Sequence, residues 1–267
     1  MAVAGWNGTR RVLVVAAAAW LLRGGMVFAA DGRIVIEEIR NRQVITYLPP
    51  SYDTESERRY PVVYLLHGGG GNPRSFLEGN YQGLNIKTTM GNLIALHVIR
   101  ELIVVMPDIQ TAYREFILND VVTHIDANYR TLARRESRGI GGHSRGGFGA
   151  LTLATDHPEL FGAVYALSAS SVDRIDPIVE GAPERGMRPS LIARVPTLRD
   201  SIKGLAIRFD VGTADRLLKP NQDLAAAMDA AGVRHVFETY PGDHNGVIRQ
   251  RLATKLLPFF SEKLAVQ

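Results

Sequence analysis

The chain has no cysteine among its 267 residues. Disulfides, a thiol nucleophile and cysteine-ligated zinc are therefore excluded. Its seven histidines are scattered, with no His-x-x-x-His pair. A catalytic zinc site is not expected from that spacing, and no metal or cofactor is called for. No apolar run reaches the roughly 20 residues that a membrane-spanning helix needs. There is also no internal repeat, no low-complexity tract and no linker that would split the chain. With 46% hydrophobic and 22% charged residues, the composition is that of a globular protein with a substantial core.

The first thirty residues differ in kind from the rest. Arg10 and Arg11 precede an apolar run from Val12 to Leu22, and the segment closes on Met26-Val27-Phe28-Ala29-Ala30. A basic start, an apolar stretch and small residues at the end predict a secretory signal peptide over residues 1–30, cleaved near Ala29 or Ala30. The expected location is secreted or periplasmic, with no stable membrane insertion after removal of the signal. The segment also removes most of the charge excess. It carries Arg10, Arg11 and Arg23 and no acid, so the remainder holds 28 basic and 27 acidic residues, and the formal net charge falls from +4 to +1. The basic cluster around Arg134, Arg135 and Arg138 is interrupted by Glu136. Nucleic acid is not expected as a partner.

Eight short segments read as strands: Ile34 to Ile39, Gln43 to Leu48, Pro61 to Leu66, Leu102 to Met106, Arg138 to Gly142, Ala163 to Leu167, Leu205 to Val211 and Arg234 to Tyr240. The first two alternate polar and apolar residues, as half-exposed antiparallel edge strands do. Val62 to Leu66 and Leu102 to Met106 are continuous apolar runs, which suit central parallel strands covered on both faces. Helical patterns follow at Phe116 to Tyr129, Phe148 to Thr155 and Gln222 to Ala231. Alternation of strand and helix predicts a single α/β domain over residues 31–267 with a mostly parallel sheet. The Pro-, Arg- and Gly-rich stretch 172–200 is expected to be a small lid-like insertion over the carboxyl edge of that sheet.

Gly142-His143-Ser144-Arg145-Gly146 is a Gly-x-Ser-x-Gly pattern between a strand and a helix. A nucleophile at such a turn has strained backbone angles, and its neighbours must lack side chains for the chain to pack. Ser144 is thus the candidate nucleophile. A serine hydroxyl needs a base held by a third group, and the chain order for this turn is serine, acid, histidine. Asp215, just past the strand ending at Val211, is the candidate acid. Asp200 and Asp223 are weaker alternatives, and Asp210, inside the strand, is expected to cap or pair structurally. His244, in the loop Pro241-Gly242-Asp243-His244-Asn245-Gly246, is the candidate base. His235 lies inside a strand pattern, and His124 and His157 fit the chain order badly. His67-Gly68-Gly69-Gly70-Gly71 supplies bare backbone for an oxyanion hole. One donor is expected from this loop and the other from the N–H of Arg145, with His67 as an anchor of the loop. No lysine follows the glycines as a phosphate loop would require.

At these residues the sequence resembles the esterase branch of the α/β-hydrolases. That branch holds the feruloyl and acetyl-xylan esterases, the enterochelin esterases, S-formylglutathione hydrolase (esterase D) and the mycolyltransferases of the antigen 85 group. The resemblance runs from about Val44 to Phe260. It rests on Tyr47-Leu48-Pro49-Pro50-Ser51-Tyr52, Tyr60 to Gly68, Gly142 to Leu151, His157-Pro158-Glu159-Leu160-Phe161, Gly212-Thr213-Ala214-Asp215 and Gly242-Asp243-His244. It implies an α/β-hydrolase fold with about eight strands and helices on both faces. It also implies a serine carboxylic ester hydrolase acting through Ser144, Asp215 and His244, with oxyanion donors from Gly68, Gly69 and Arg145, on small or carbohydrate-linked esters of feruloyl or acetyl type. Two other readings stay open: an acyltransferase of the mycolyltransferase type, and a surface binding protein that keeps the fold without catalysis. Arg145 departs from the Met or Leu frequent in such esterases, and its guanidinium could bind an acidic or sugar-rich substrate or pair with an acid inside the lid.

Overall fold

The central strand Val62–Leu66 buries all five of its side chains, and alternate residues enter different clusters. Val62, Tyr64 and Leu66 belong to one, Val63 and Leu65 to the other. A strand that is apolar at every position has two faces to cover, and here both are covered. The computed structural model describes residues 32–110, 112–174, 176–177 and 187–266. The expected signal peptide lies outside them, as do residues 175 and 178–186 of the expected lid-like insertion.

In chain order the strands are β1 (Arg33–Ile39), β2 (Arg42–Leu48), β3 (Val62–Leu66), β4 (Ile103–Pro107), β5 (Arg138–His143), β6 (Ala163–Leu167), β7 (Asp176–Pro177), β8 (Met187–Arg188), β9 (Ala206–Gly212) and β10 (Val236–Tyr240). Eight form one sheet in the order β1-β2-β4-β3-β5-β6-β9-β10. The β1/β2 and β2/β4 pairs are antiparallel, and the remaining pairs are parallel. This is the α/β-hydrolase fold.

The helices are α1 (Ile86–Ala95), α2 (Tyr113–Glu115 continuing through π-helical Phe116–Val121 into Val122–Asn128), α3 (Arg145–Asp156), α4 (Leu191–Leu198), α5 (Leu218–Ala230) and α6 (Ile248–Arg251, π-helical Leu252–Leu256 and Leu257–Lys263). Ile117, Val121 and Ile125 of α2 are buried in the cluster that also holds α3 residues Ala150, Leu151 and Ala154. Leu252, Leu256 and Phe260 of α6 are buried with Leu84, Ile86 and Met90 in the other. Burying a side chain of this size contributes about 1.5–3 kcal/mol.

The described part of 172–200 is a two-residue β7/β8 ladder followed by α4. Leu191 and Val195 of α4 are buried in the main core, so the end of this stretch is built into the body of the domain. Among the described residues no helix is long and apolar enough to cross a membrane.

Behind the sheet's carboxyl edge, Asp210 of β9 is fully buried. It accepts from Tyr165 Oη at 2.7 Å and from Arg251 Nε at 2.9 Å. Arg251 also reaches Glu238 at 3.3 Å, so α6 is tied to β9 and β10 by charge. The structural role expected of Asp210 is the one it has.

Candidate active site

Ser144 sits between β5 and α3 with φ 55° and ψ −116°, a region that an L-residue adopts only when its surroundings enforce it. They do so here by close backbone approach. A Cβ on Gly142 would lie 2.6 Å from Leu66 O and from the Gly146 carbonyl, and one on Gly146 would lie 2.2 Å from Leu66 O. The turn is also tied down by hydrogen bonds. Ser144 N–H donates to Leu167 O at 2.9 Å, and Ser144 O accepts from Phe148 N at 3.0 Å and from Ser170 N at 3.1 Å. The hydroxyl stands at the N-terminus of the twelve-residue α3, where the helix dipole favours negative charge.

The acid and the base come from the loops after β9 and β10. Gly212 permits their approach, because a Cβ there would meet Gly242 O at 2.2 Å. Thr213 N–H donates to Tyr240 O and Ala214 N–H to Gly242 O, at 2.8 and 2.9 Å. Asp215 Oδ1 accepts from Leu217 N–H at 2.9 Å, leaving Oδ2 2.8 Å from His244 Nδ1. His244 Nε2 is 2.9 Å from Ser144 Oγ. The three sequence-predicted residues therefore form one hydrogen-bonded line, buried at its carboxylate end, where the Asp215 side chain is 0% exposed. The imidazole that bridges them can take a proton from the hydroxyl while the carboxylate offsets its charge.

The glycine loop after β3 behaves differently from the expectation at one position. Gly68 N–H donates to Tyr81 Oη at 2.8 Å, so Gly68 is corrected from donor to scaffold. Gly69 stands beside Arg145, where a Cβ would come 4.0 Å from the Arg145 Cβ. Among the described residues no acceptor takes the Gly69 N–H. His67 is the loop's anchor. Its Nδ1–H donates to Gly68 O at 2.8 Å while its Nε2 accepts Ile109 N–H at 3.2 Å. That pattern requires a neutral ring, and burial lowers its pKa in the same sense. The Arg145 guanidinium donates to Gln110 O at 2.6 Å and lies over the Tyr113 ring, 5.6 Å from its centroid.

Two supporting residues had not been assigned from sequence. Asn221, fully buried, donates to Ala169 O and Leu217 O, both at 2.9 Å. It thereby joins the acid's turn to the chain after β6. His143 is 3% exposed, and its Nε2–H donates to His244 O at 2.9 Å. Its ring lies 4.8 Å from the His244 ring. The signal for His143 was its place inside the serine pattern, but nothing in the sequence indicated which carbonyl it would meet. Burial, and then the facing His244, push its pKa down to about 4.

A histidine held neutral in this way makes stability depend on pH. Between about pH 6.5 and 4 the unfolded chain binds the proton that the folded chain refuses, so acidification destabilises the fold. The shift from 6.5 to about 4 sets the His143 share at about 2–3 kcal/mol by pH 4.5. Urea midpoints at pH 7 and pH 4.5 are expected to lie closer together in His143→Gln than in the parent. An equal gap in both would show that the burden lies elsewhere.

Among the described residues no three His, Asp or Glu side chains gather as metal ligands. A family profile described as "Putative esterase" matches residues 39–248. An esterase of Mycobacterium tuberculosis is 26% identical over 250 residues, an alignment covering 76% of this chain and 52% of that protein. An endo-1,4-beta-xylanase/feruloyl esterase of Xylanibacter ruminicola is 32% identical over 142 residues, covering 47% of this chain and 19% of that protein. The chain thus spans about half the length of the first of these curated relatives, and less of the second. Among solved structures, a ferulic acid esterase superposes with a TM-score of 0.76 at 26% identity, covering 88% of this chain and 99% of the other.

Proposed function

The chain belongs to the esterase family, and from that premise we propose that it is a serine carboxylic ester hydrolase with Ser144 as nucleophile, His244 as base and Asp215 as acid. The observation that carries this reading is the line from Ser144 Oγ to His244 Nε2 at 2.9 Å and from His244 Nδ1 to Asp215 Oδ2 at 2.8 Å. Ser144 Oγ attacks the ester carbonyl carbon while His244 Nε2 takes its proton. The tetrahedral oxyanion is met by the N–H groups of Arg145 and Gly69. Collapse breaks the ester C–O bond, and His244 returns the proton to the leaving alkoxide. A water molecule, deprotonated by His244, then attacks the acyl-enzyme, and the carboxylic acid leaves with Ser144 restored. The positive end of α3 and the two backbone donors stabilise charge that exists only in the transition states, which is where stabilisation raises kcat.

The substrates we assign are small or carbohydrate-linked esters of feruloyl or acetyl type. Support comes from the likeness to a ferulic acid esterase at 26% identity and to the xylanase/feruloyl esterase of Xylanibacter ruminicola. The basic, then apolar first thirty residues support export, with the remainder as one catalytic domain. Methyl ferulate, acetylated xylan and p-nitrophenyl esters of increasing chain length test the assignment. Turnover of the first two above that of long-chain esters is expected. Turnover confined to long acyl chains would overturn the substrate class, and acyl transfer to an added polyol exceeding release of free acid would make the protein a transferase.

A further inference from the structure

Tyr81 lies outside the Ser144–His244–Asp215 line, yet it touches the backbone that this line needs. The connection between Leu77 and Asn85 folds into a tight corner, with positive φ at Gly79 (85°), Gln82 (54°) and Gly83 (73°). Gly83 N–H donates to Gly79 O at 2.8 Å, Leu84 N–H to Tyr81 O at 3.0 Å and Gly79 N–H to Leu84 O at 3.1 Å. Asn85 Nδ2 closes the base of the corner on Leu77 O at 3.0 Å.

This corner reaches both loops of the site. Tyr81 Oη accepts the Gly68 N–H at 2.8 Å, and its ring packs on Phe76 at 5.1 Å and edge-on against His143 at 5.6 Å. Its neighbour Gln82 donates through Nε2 to Asn245 O at 2.5 Å, one residue beyond the base. The glycine loop itself is turned by Gly71 N–H donating to Gly68 O at 3.1 Å, with Gly70 at φ 75°. Bare glycines hold no conformation through side-chain packing. The orientation of Gly69 therefore depends on the hydrogen bonds at either end of the loop, and the Tyr81 hydroxyl supplies one of them.

Resting on the proposed function, we propose that Tyr81 is a positioning residue of the oxyanion hole: its hydroxyl engages the Gly68 N–H and so fixes the loop with the Gly69 N–H as the donor to the transition state. Without that hydroxyl the Gly68 N–H loses its acceptor. An unsatisfied donor is costly to leave in place, so the loop turns to find another acceptor and carries Gly69 with it. Binding of the ester in its ground state depends little on this donor, whereas the tetrahedral state depends on it fully.

The test is Tyr81→Phe, which keeps the ring on Phe76 and His143 and removes only the oxygen. Rates are taken per active site titrated with a fluorophosphonate, so that only competent enzyme is counted. The expected result with p-nitrophenyl acetate is a fall in kcat of about tenfold or more with KM within about twofold, because a misplaced donor forfeits part of the 10²–10³-fold that a lost donor costs. The inhibition constant of phenylboronic acid, whose tetrahedral serine adduct puts an oxygen in the hole, is expected to weaken by a similar factor. Unchanged kcat and boronate affinity, or a change in KM alone, would overturn the positioning role. Failure of the underlying reading looks different: Ser144→Ala would then retain hydrolysis whatever Tyr81→Phe does.

Discussion

Replacing Ser144 with alanine is expected to lower kcat/KM for p-nitrophenyl acetate by about five orders of magnitude, because removal of a triad nucleophile leaves only the residual assistance of the oxyanion hole and binding. The chain should remain folded. Serine already places a Cβ at φ 55°, so alanine adds no backbone strain. The bond from Oγ to His244 Nε2 is worth only about 1 kcal/mol to stability. Circular dichroism and the urea midpoint should match the parent, while fluorophosphonate labelling disappears. Residual hydrolysis above about a hundredth of the parent rate would sink the assignment, since a general-base or water-only pathway would then be sufficient.

The second large effect falls on stability. Gly146→Ala would put a methyl group 2.2 Å from Leu66 O, 2.5 Å from His67 O and 2.6 Å from Leu66 C. All three atoms belong to the backbone of β3 and its loop, so no flexible side chain can move aside. The chain must separate α3 from β3 or abandon the turn. A loss of more than about 4 kcal/mol is expected, which belongs to the rare class of severe substitutions and is a large part of the total stability of a domain this size. Gly69→Ala is the comparison. Its new Cβ would meet nothing nearer than the Arg145 Cβ at 4.0 Å, and a shift within about 1 kcal/mol is expected. Urea unfolding of both variants decides the matter, and a Gly146→Ala midpoint close to that of Gly69→Ala would refute the collision argument.

The strands were legible because burial on both faces removes polar residues altogether. Val62 to Leu66 and Leu102 to Met106 are apolar at every position, as strands covered on both faces are, and the alternation in Ile34 to Ile39 marked β1 at the edge. Strand β2, expected from its alternation to be a half-exposed edge strand as well, instead lies between β1 and β4 with Val44 to Leu48 buried. Helix α1 was missed for the opposite reason. Lys87, Thr88, Thr89, Gly91 and Asn92 leave little apolar stripe, and Gly91 lowers its intrinsic propensity. The helix is held by Ile86, Met90 and Leu93 packing in the core. Ile248, Leu252 and Leu256 in α6 do stand at four-residue spacing, a signal that was present in the sequence and passed over.

In the site, Ser144, Asp215 and His244 could be ordered because each follows its own strand. Gly68 could not be separated from Gly69. The distinction is made by the hydroxyl of Tyr81, thirteen residues away by sequence, and no local pattern encodes that meeting. Arg145 shows the same limit. Its side chain was read toward substrate or a lid acid, and the contacts that hold it include Gln110 O and the Tyr113 ring, both remote in sequence.

The spacing of the line has a consequence for synthesis. Ser144 and His244 are 100 residues apart, and Asp215 and His244 are 29 apart. The serine's turn closes on β3, β5 and β6, all N-terminal to or near it, whereas the base waits for β10 and its loop to be made. A growing chain therefore carries its serine long before it has anything to deprotonate the hydroxyl. A domain folds as a unit, so on the proposed mechanism a nascent or prematurely ended polypeptide would be chemically inert. Competence would arrive in one step, with the pairing of the outermost strand.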